Sequence, residues 1–310
     1  MPPATDRELE TCRRELDRID AAIVELLAER MAVVAEVARI KRAAAADGPA
    51  IRPGREAVIL RRLVERAAGR FPGPALVRMW RELLAATTRA QAPLAVVAWL
   101  PRDRAGLWDL ARDHFGSATP IERMEDATEA LRLVAGNPSC LAVLPAPEAG
   151  GSWWPGLLAD GADGLRIVAR LPFVRSEIEP EAAVVVAAFP SDASGDDLGL
   201  LALAEEADDA TLVARLLALG LPARPLARAA TAVGEALRLV EVAGLVPEDD
   251  GVNKPFQLDK CHALASSTET VLRFYPRWYR PAVADSPSRP APTDAARRGA
   301  AVSPSTEETK

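Results

Sequence analysis

From Leu9 to Arg42 the chain reads LETCRRELDRIDAAIVELLAERMAVVAEVARIKR, with no proline or glycine to interrupt it. Apolar residues recur at Leu9, Cys12, Leu16, Ile19, Ile23, Leu26, Val33, Val37 and Ile40, the three-and-four spacing of one helical stripe. A stripe this long exceeds the usual globular helix and calls for a partner helix packed in coiled-coil fashion. Where the stripe should continue, it carries Arg30. A charge set into an apolar face needs a counter-charge or an anionic ligand. Arg30 and Lys41 lie three turns apart and leave the helix on one face, so a small dianion fits between them. Arg13 is about 40 Å from Lys41 along the axis at 1.5 Å per residue. If both serve one site, they belong to two chains running antiparallel. Arg14, Arg18, Arg39 and Arg42 read as solvated surface.

Charge is unevenly spread. Residues 1–92 hold 17 lysines and arginines against 13 acidic residues, whereas the whole chain carries a net −6. The cationic part suits an anionic small molecule, and the overall sign, with no basic runs interleaved with aromatics, disfavours nucleic acid. No segment approaches eighteen uninterrupted apolar residues and the first residues, MPPATDRE, lack a signal-like apolar region, so neither a membrane span nor a secretory signal is expected. Cys12, Cys140 and Cys261 form no paired motif, as expected of reduced core thiols in a cytoplasmic protein. With only His114 and His262, a zinc site or a catalytic dyad has little to work with, and no metal or cofactor is expected.

At 310 residues and 49% hydrophobic content, two packed domains are expected. Turn signals at Asp47-Gly48-Pro49 and Pro53-Gly54 end the first helix region. A second helix is predicted over 55–68, and a third begins near Pro74 and runs to Gln91. Ala92-Pro93 closes this helical domain, residues 1–92. Three helices of such unequal length leave apolar faces uncovered, which again points to a dimer. From 94 to 280, short apolar runs (94–100, 141–145, 165–171, 182–189) alternate with helical segments, the texture of an α/β domain. Residues 198–246 read strand-helix-strand-strand, an order compatible with a regulatory ACT-like module. A last element is expected over 268–279, with Trp278 and Tyr279 packing, and the Pro-, Ala- and Ser-rich tail 281–310 is expected to be disordered.

The pattern LxxxRxELDxID…LLAER…VAxIK…RPGREAxxLxRL, spanning Leu9 to Gln91, resembles the all-helical (AroQ-class) chorismate mutases. The resemblance implies an all-α three-helix fold assembled as an intertwined homodimer, with each site shared between chains and chorismate as substrate. It implies roles as well: Arg13 donated by the partner chain, Arg30 on a substrate carboxylate, and Lys41 on the ether oxygen and a carboxylate. Arg55 and Glu56 match the arginine-glutamate pair that opens the second helix, the glutamate facing the substrate hydroxyl. Thr87 stands where serine or threonine is usual, and Gln91 where the second ether-oxygen donor is found. Arg52 departs from the pattern, since some members carry aspartate there, which leaves the hydroxyl to Glu56 or to backbone.

The stretch from about residue 114 to 173 resembles prephenate dehydratase, a domain of periplasmic-binding-protein-like architecture. Where that family carries a threonine-arginine-phenylalanine motif, this chain has Glu179-Pro180-Glu181-Ala182-Ala183-Val184, and Leu100-Pro101-Arg102-Asp103-Arg104 replaces its glycine-rich entrance. The expectation is therefore a chorismate mutase of aromatic amino acid biosynthesis whose second domain is dehydratase-like and silent. The alternatives are a bifunctional mutase–dehydratase, an isochorismate pyruvate-lyase, and a non-catalytic dimerisation module serving a ligand-sensing second domain.

Overall fold

The computed structural model describes residues 4–43, 51–149, 152–159, 162, 164–174, 181–189, 192–218, 220–230, 234 and 236–243, with short strands at 270–271 and 275–276. Residues 1–280 form one compact unit; the second unit, 281–310, lies outside the described residues, as do Cys261, His262, Trp278 and Tyr279.

Three helices open the chain: α1 (Ala4–Ala43), α2 (Pro53–Ala67) and α3 (Gly73–Gln91). At forty residues, α1 is about 60 Å long. It keeps its apolar stripe in the open: Leu16, Leu26 and Val33 are each at least 60% exposed, and Leu9, Ile19, Ile23, Val37 and Ile40 are exposed too. Cys12, expected in a core, is exposed with them. Only the face bearing Arg30, Met31, Val34, Ala38 and Lys41 is covered, where the helix meets α3. Apolar surface of this extent on one helix marks an interaction face.

The α/β part begins with β1 (Ala95–Ala98), α4 (Ala105–Phe115), β2 (Ile121–Arg123), α5 (Ala127–Gly136) and β3 (Cys140–Pro145). After two short 3₁₀ turns come β4 (Arg166–Leu171) and β5 (Ala183–Ala187). These five strands form a mixed sheet in the order β2-β1-β3-β5-β4, with β1, β2 and β3 parallel and β5 antiparallel to both its neighbours. The period of two divides its side chains between two cores. Val96, Leu141, Val143, Val185 and Leu171 meet Leu107, Leu110 and Phe115 of α4. Val97, Ala142, Leu144, Val184 and Val186 meet α5 and the tryptophans Trp153 and Trp154. With both faces covered, the strands read as continuous apolar runs, which is why they were visible in the sequence.

Behind this second core stands an antiparallel sheet built from β6 (Asp197–Ala204), β7 (Ala223–Ala230) and β8 (Ala236–Ala243), with β9 (Thr270–Val271) and β10 (Tyr275–Pro276) pairing to β6. Leu200, Ala202, Leu237 and Leu239 face the first sheet, while Leu201, Leu203, Val240 and Val242 pack on α6 (Asp209–Ala218). The strand-helix-strand-strand order expected for 198–246 is thus present, and the alternation along β6 and β8 buries both of its faces.

The helical and α/β parts are joined by two sets of contacts. Along α3, Arg78 pairs with Asp113 of α4 at 2.6 Å, and Glu82 accepts a hydrogen bond from the Ser117 amide. Gly116, at φ +83°, makes this approach possible, since a Cβ there would come within 2.8 Å of the Ala85 Cβ. The other set is a strap, residues 192–197, laid over α2. Helix α2 has Pro53 in its first turn, preset for the helix, but its N-cap residue is Arg52, whose side chain offers no acceptor. Asp192 supplies what Arg52 lacks. Its carboxylate accepts from the Gly54 and Arg55 amides at 3.1 and 3.2 Å and pairs with the Arg52 guanidinium at 3.1 Å. Arg61, two turns on, donates to the Ser194 and Asp196 carbonyls, and the Ser194 hydroxyl donates to buried Asp197.

Asp192→Ala should lower the free energy of unfolding by about 1–2 kcal/mol, the value of a helix cap. Gly54→Ala should cost more, because the added Cβ would stand 1.9 Å from the Asp192 carbonyl oxygen. Urea unfolding of the full chain measures both, and wild-type midpoints would dispose of the strap as a stabilising contact.

Candidate functional site

The residues singled out in the sequence fall into three groups. Arg30 and Lys41 share the covered face of α1, both half-buried. Arg30 is the more telling: its Nη1 is buried with no hydrogen-bond partner among the described residues, and burial depresses its pKa. A guanidinium nitrogen out of water and without an acceptor is a vacancy for a carboxylate or phosphate oxygen. Arg13, about 25 Å along the helix from Arg30, is exposed and only loosely paired with Glu10 at 3.7 Å. Within one chain it does not join Arg30 and Lys41, as the helix geometry required.

On α3, Thr87 and Gln91 share a face one turn apart. Thr87 is buried and its hydroxyl donates to the Leu84 carbonyl; half-buried Gln91 donates through Nε2 to the Thr87 carbonyl at 3.1 Å. Both side chains thus rest on their own helix, with the Gln91 amide oxygen and second N–H left for other partners. The α1–α3 contact brings their helix against the one that carries Arg30 and Lys41.

The third group opens α2. Arg52 is held by Asp192, and Arg55 is exposed with its amide on the same carboxylate. Glu56 turns inward to Arg81 of α3, Oε2 to Nη1 at 2.6 Å, with side-chain exposures of 13% and 6%. Desolvation pushes the Glu56 carboxyl above its usual range while the adjacent Arg81 charge pulls it back, and burial lowers the Arg81 value from the other side. Arg81 also lies over the Phe173 ring, its guanidinium carbon 5.6 Å from the centroid. Arg81 is not among the residues singled out in the sequence, although its signal is of the Arg30 kind: Val77, Arg81, Leu84 and Thr88 occupy one buried stripe of α3. Nor is His114 given a role there; it stands at the end of α4, where burial and the Arg81 charge hold its imidazole well below the ordinary value of 6.5. Among the described residues no group of histidines, cysteines and carboxylates is arranged to hold a metal ion.

Two measurements test this electrostatics. Arg81→Met leaves Glu56 buried without its cation and should cost about 3–5 kcal/mol, most of it recovered in the double variant Glu56→Leu/Arg81→Met; a small loss in the single variant would show that the pair is hydrated. The second concerns pH. On acidification the unfolded chain protonates its histidine near 6.5 while His114 in the fold does not. Stability is therefore undiminished above that pH and falls below it, by up to about 1.4 kcal/mol per unit, until His114 itself takes a proton. His114→Asn should flatten this slope between about pH 5 and 6.5, read as the shift of the urea midpoint.

Comparison with known proteins adds identity to this geometry. Residues 12–92 match the family model of chorismate mutase type II. The bifunctional chorismate mutase/prephenate dehydratase of Pseudomonas aeruginosa is 29% identical over 145 residues, 46% of this chain and 40% of that protein. The enzyme of the same name from Neisseria gonorrhoeae is 30% identical over 118 residues, 38% of this chain and 31% of that protein. The matches thus span less than half the length of these curated relatives. Among solved structures, prephenate dehydratase from Streptococcus mutans superimposes with a TM-score of 0.41 at 13% identity, over 59% of this chain and 97% of that one. The helical segment with its half-buried Arg30 and Lys41 is thus the part of the chain that matches chorismate mutase type II, over residues 12–92.

Proposed function

We propose that the chain is a chorismate mutase, catalysing the rearrangement of chorismate to prephenate in aromatic amino acid biosynthesis, and that it works in the cytoplasm as a homodimer. The observation that carries the reading is Arg30: a half-buried guanidinium with an unsatisfied nitrogen, on the one covered face of α1, three turns from Lys41. The reaction is unimolecular and pericyclic, so it asks for no nucleophile, metal or proton relay. It asks for carboxylates clamped in the reactive conformation, the role assigned to Arg30, Arg55 and Arg13 of a second chain. It also asks for fixed donors on the ether oxygen as charge develops there, the role of Lys41 and Gln91. Glu56 addresses the substrate hydroxyl, and its charge is steadied by Arg81. Arg52 and Thr87 border the same site.

The dimer is supported by the exposed apolar stripe of α1, which a second antiparallel copy would cover while carrying its Arg13 to the Lys41 end. This predicts complementation. Arg13→Ala and Lys41→Ala should each lower turnover by orders of magnitude with the fold intact. Refolded together, they should regain about a quarter of wild-type activity, because half the dimers are mixed and each mixed dimer holds one complete site. A mixture no better than its components would put Arg13 and Lys41 in one chain or outside the site.

The assay is loss of chorismate absorbance, followed by acid treatment that converts prephenate to phenylpyruvate. Phenylpyruvate appearing only after acid is the expected result. A second reading, mutase and dehydratase together, draws on the bifunctional relatives, and phenylpyruvate before acid would establish it. Against it, the carboxyl ends of β3 and β4 are plugged by an ion pair between Glu148 and Arg170, the latter side chain 2% exposed, where an open α/β sheet receives its ligand.

A further inference from the structure

The α1 and α2 residues do not account for a cavity of about 300 Å³ on the far side of α3, between that helix, α4 and the chain leaving β4. Its walls are in large part apolar, among them Val77 and Leu110, with Phe173 and Val174 closing one side. Two cations line it, Arg78 and Arg81, of which Arg81 is the buried one. The Nη1 of Arg81 is committed to Glu56 and its face to Phe173, and it makes no further hydrogen bond to a described residue. A guanidinium has five donors, and those not given to Glu56 keep access to solvent, so they can meet a ligand in the cavity. At the edge, Arg78 and Asp113 neutralise each other, so Asp113 does not repel an anion. His114, also lining the cavity, is the neutral hydrogen-bonding group beside the cation.

A largely apolar cavity of this size, with a buried cation and an aromatic wall, has the make-up of a small-molecule site. We propose that it binds a small monocarboxylate with a flat apolar body, the carboxylate on Arg81 and the body between Phe173 and the aliphatic wall. The planar fork of arginine suits a carboxylate in particular. The proposal concerns a site separate from that of the mutase reading and does not depend on it.

The test uses the full chain and 3-phenylpropanoate as probe, with 3-phenylpropanamide as its uncharged isostere, by isothermal titration calorimetry. The acid should bind and the amide should bind at least about tenfold more weakly, since the charge-assisted bond is lost. Val174→Trp, a half-buried position whose enlarged side chain fills the cavity, should abolish binding. Because the chain has two histidines, ring resonances in histidine-labelled protein give a reading without any cavity variant: the signal lost in His114→Asn should move on titration and the other stay. Equal affinity for acid and amide, undiminished binding to Val174→Trp, a stationary His114 signal, or no heat and no shift at ~5 mM probe would each overturn the proposal.

Discussion

Arg81 is the hinge of the electrostatics. It neutralises Glu56 of α2, lies on Phe173 just past β4 and adds its charge to the burial that lowers the pKa of His114 of α4. Four elements meet on one guanidinium that is 5% exposed. A buried ion pair is not in itself a strong source of stability, because desolvating both charges offsets most of their attraction. What it gives is specificity of arrangement: α2 sits on α3 in a register that brings Glu56 to Arg81, and slippage by one turn would bury a carboxylate without a cation. The acidic residue that the mutase reading requires is therefore locked in place by a residue that never reaches the substrate in that reading.

Much of this fold could be read from residues alone, and for a physical reason. Local periodicity is a local property: the α1 stripe, the apolar runs of β1, β3 and β5 and the strand-helix-strand-strand tail each declare themselves within a dozen residues. Helix α2 starts at Pro53, two residues earlier than the expected 55, because its first turn is completed by an acceptor from elsewhere. Arg30 was legible because it interrupts a stripe. Arg81 interrupts one too, but a shorter one with threonines beside it, so the anomaly is weaker. Asp192 and His114 could not be found in this way, since their roles exist only once distant segments meet.

The exposed stripe of α1 and the covered faces of α2 and α3 divide the helical segment unequally. The α/β part takes over work that a free-standing helical domain would do by itself, capping α2 and shielding one side of α3. Helix α1 receives no such help beyond its Arg30–Lys41 face and keeps its apolar side chains for another surface.

The distance along the chain between helix and cap has a consequence for synthesis. Asp192 lies 138 residues beyond Gly54, so at roughly 5–20 residues per second a ribosome needs on the order of ten seconds to deliver it. Through that interval α2 waits with its first amides unmet and Arg61 without its acceptors in the strap. The helical segment, though made first, is finished last, and its maturation waits on a loop that emerges after the five-stranded sheet.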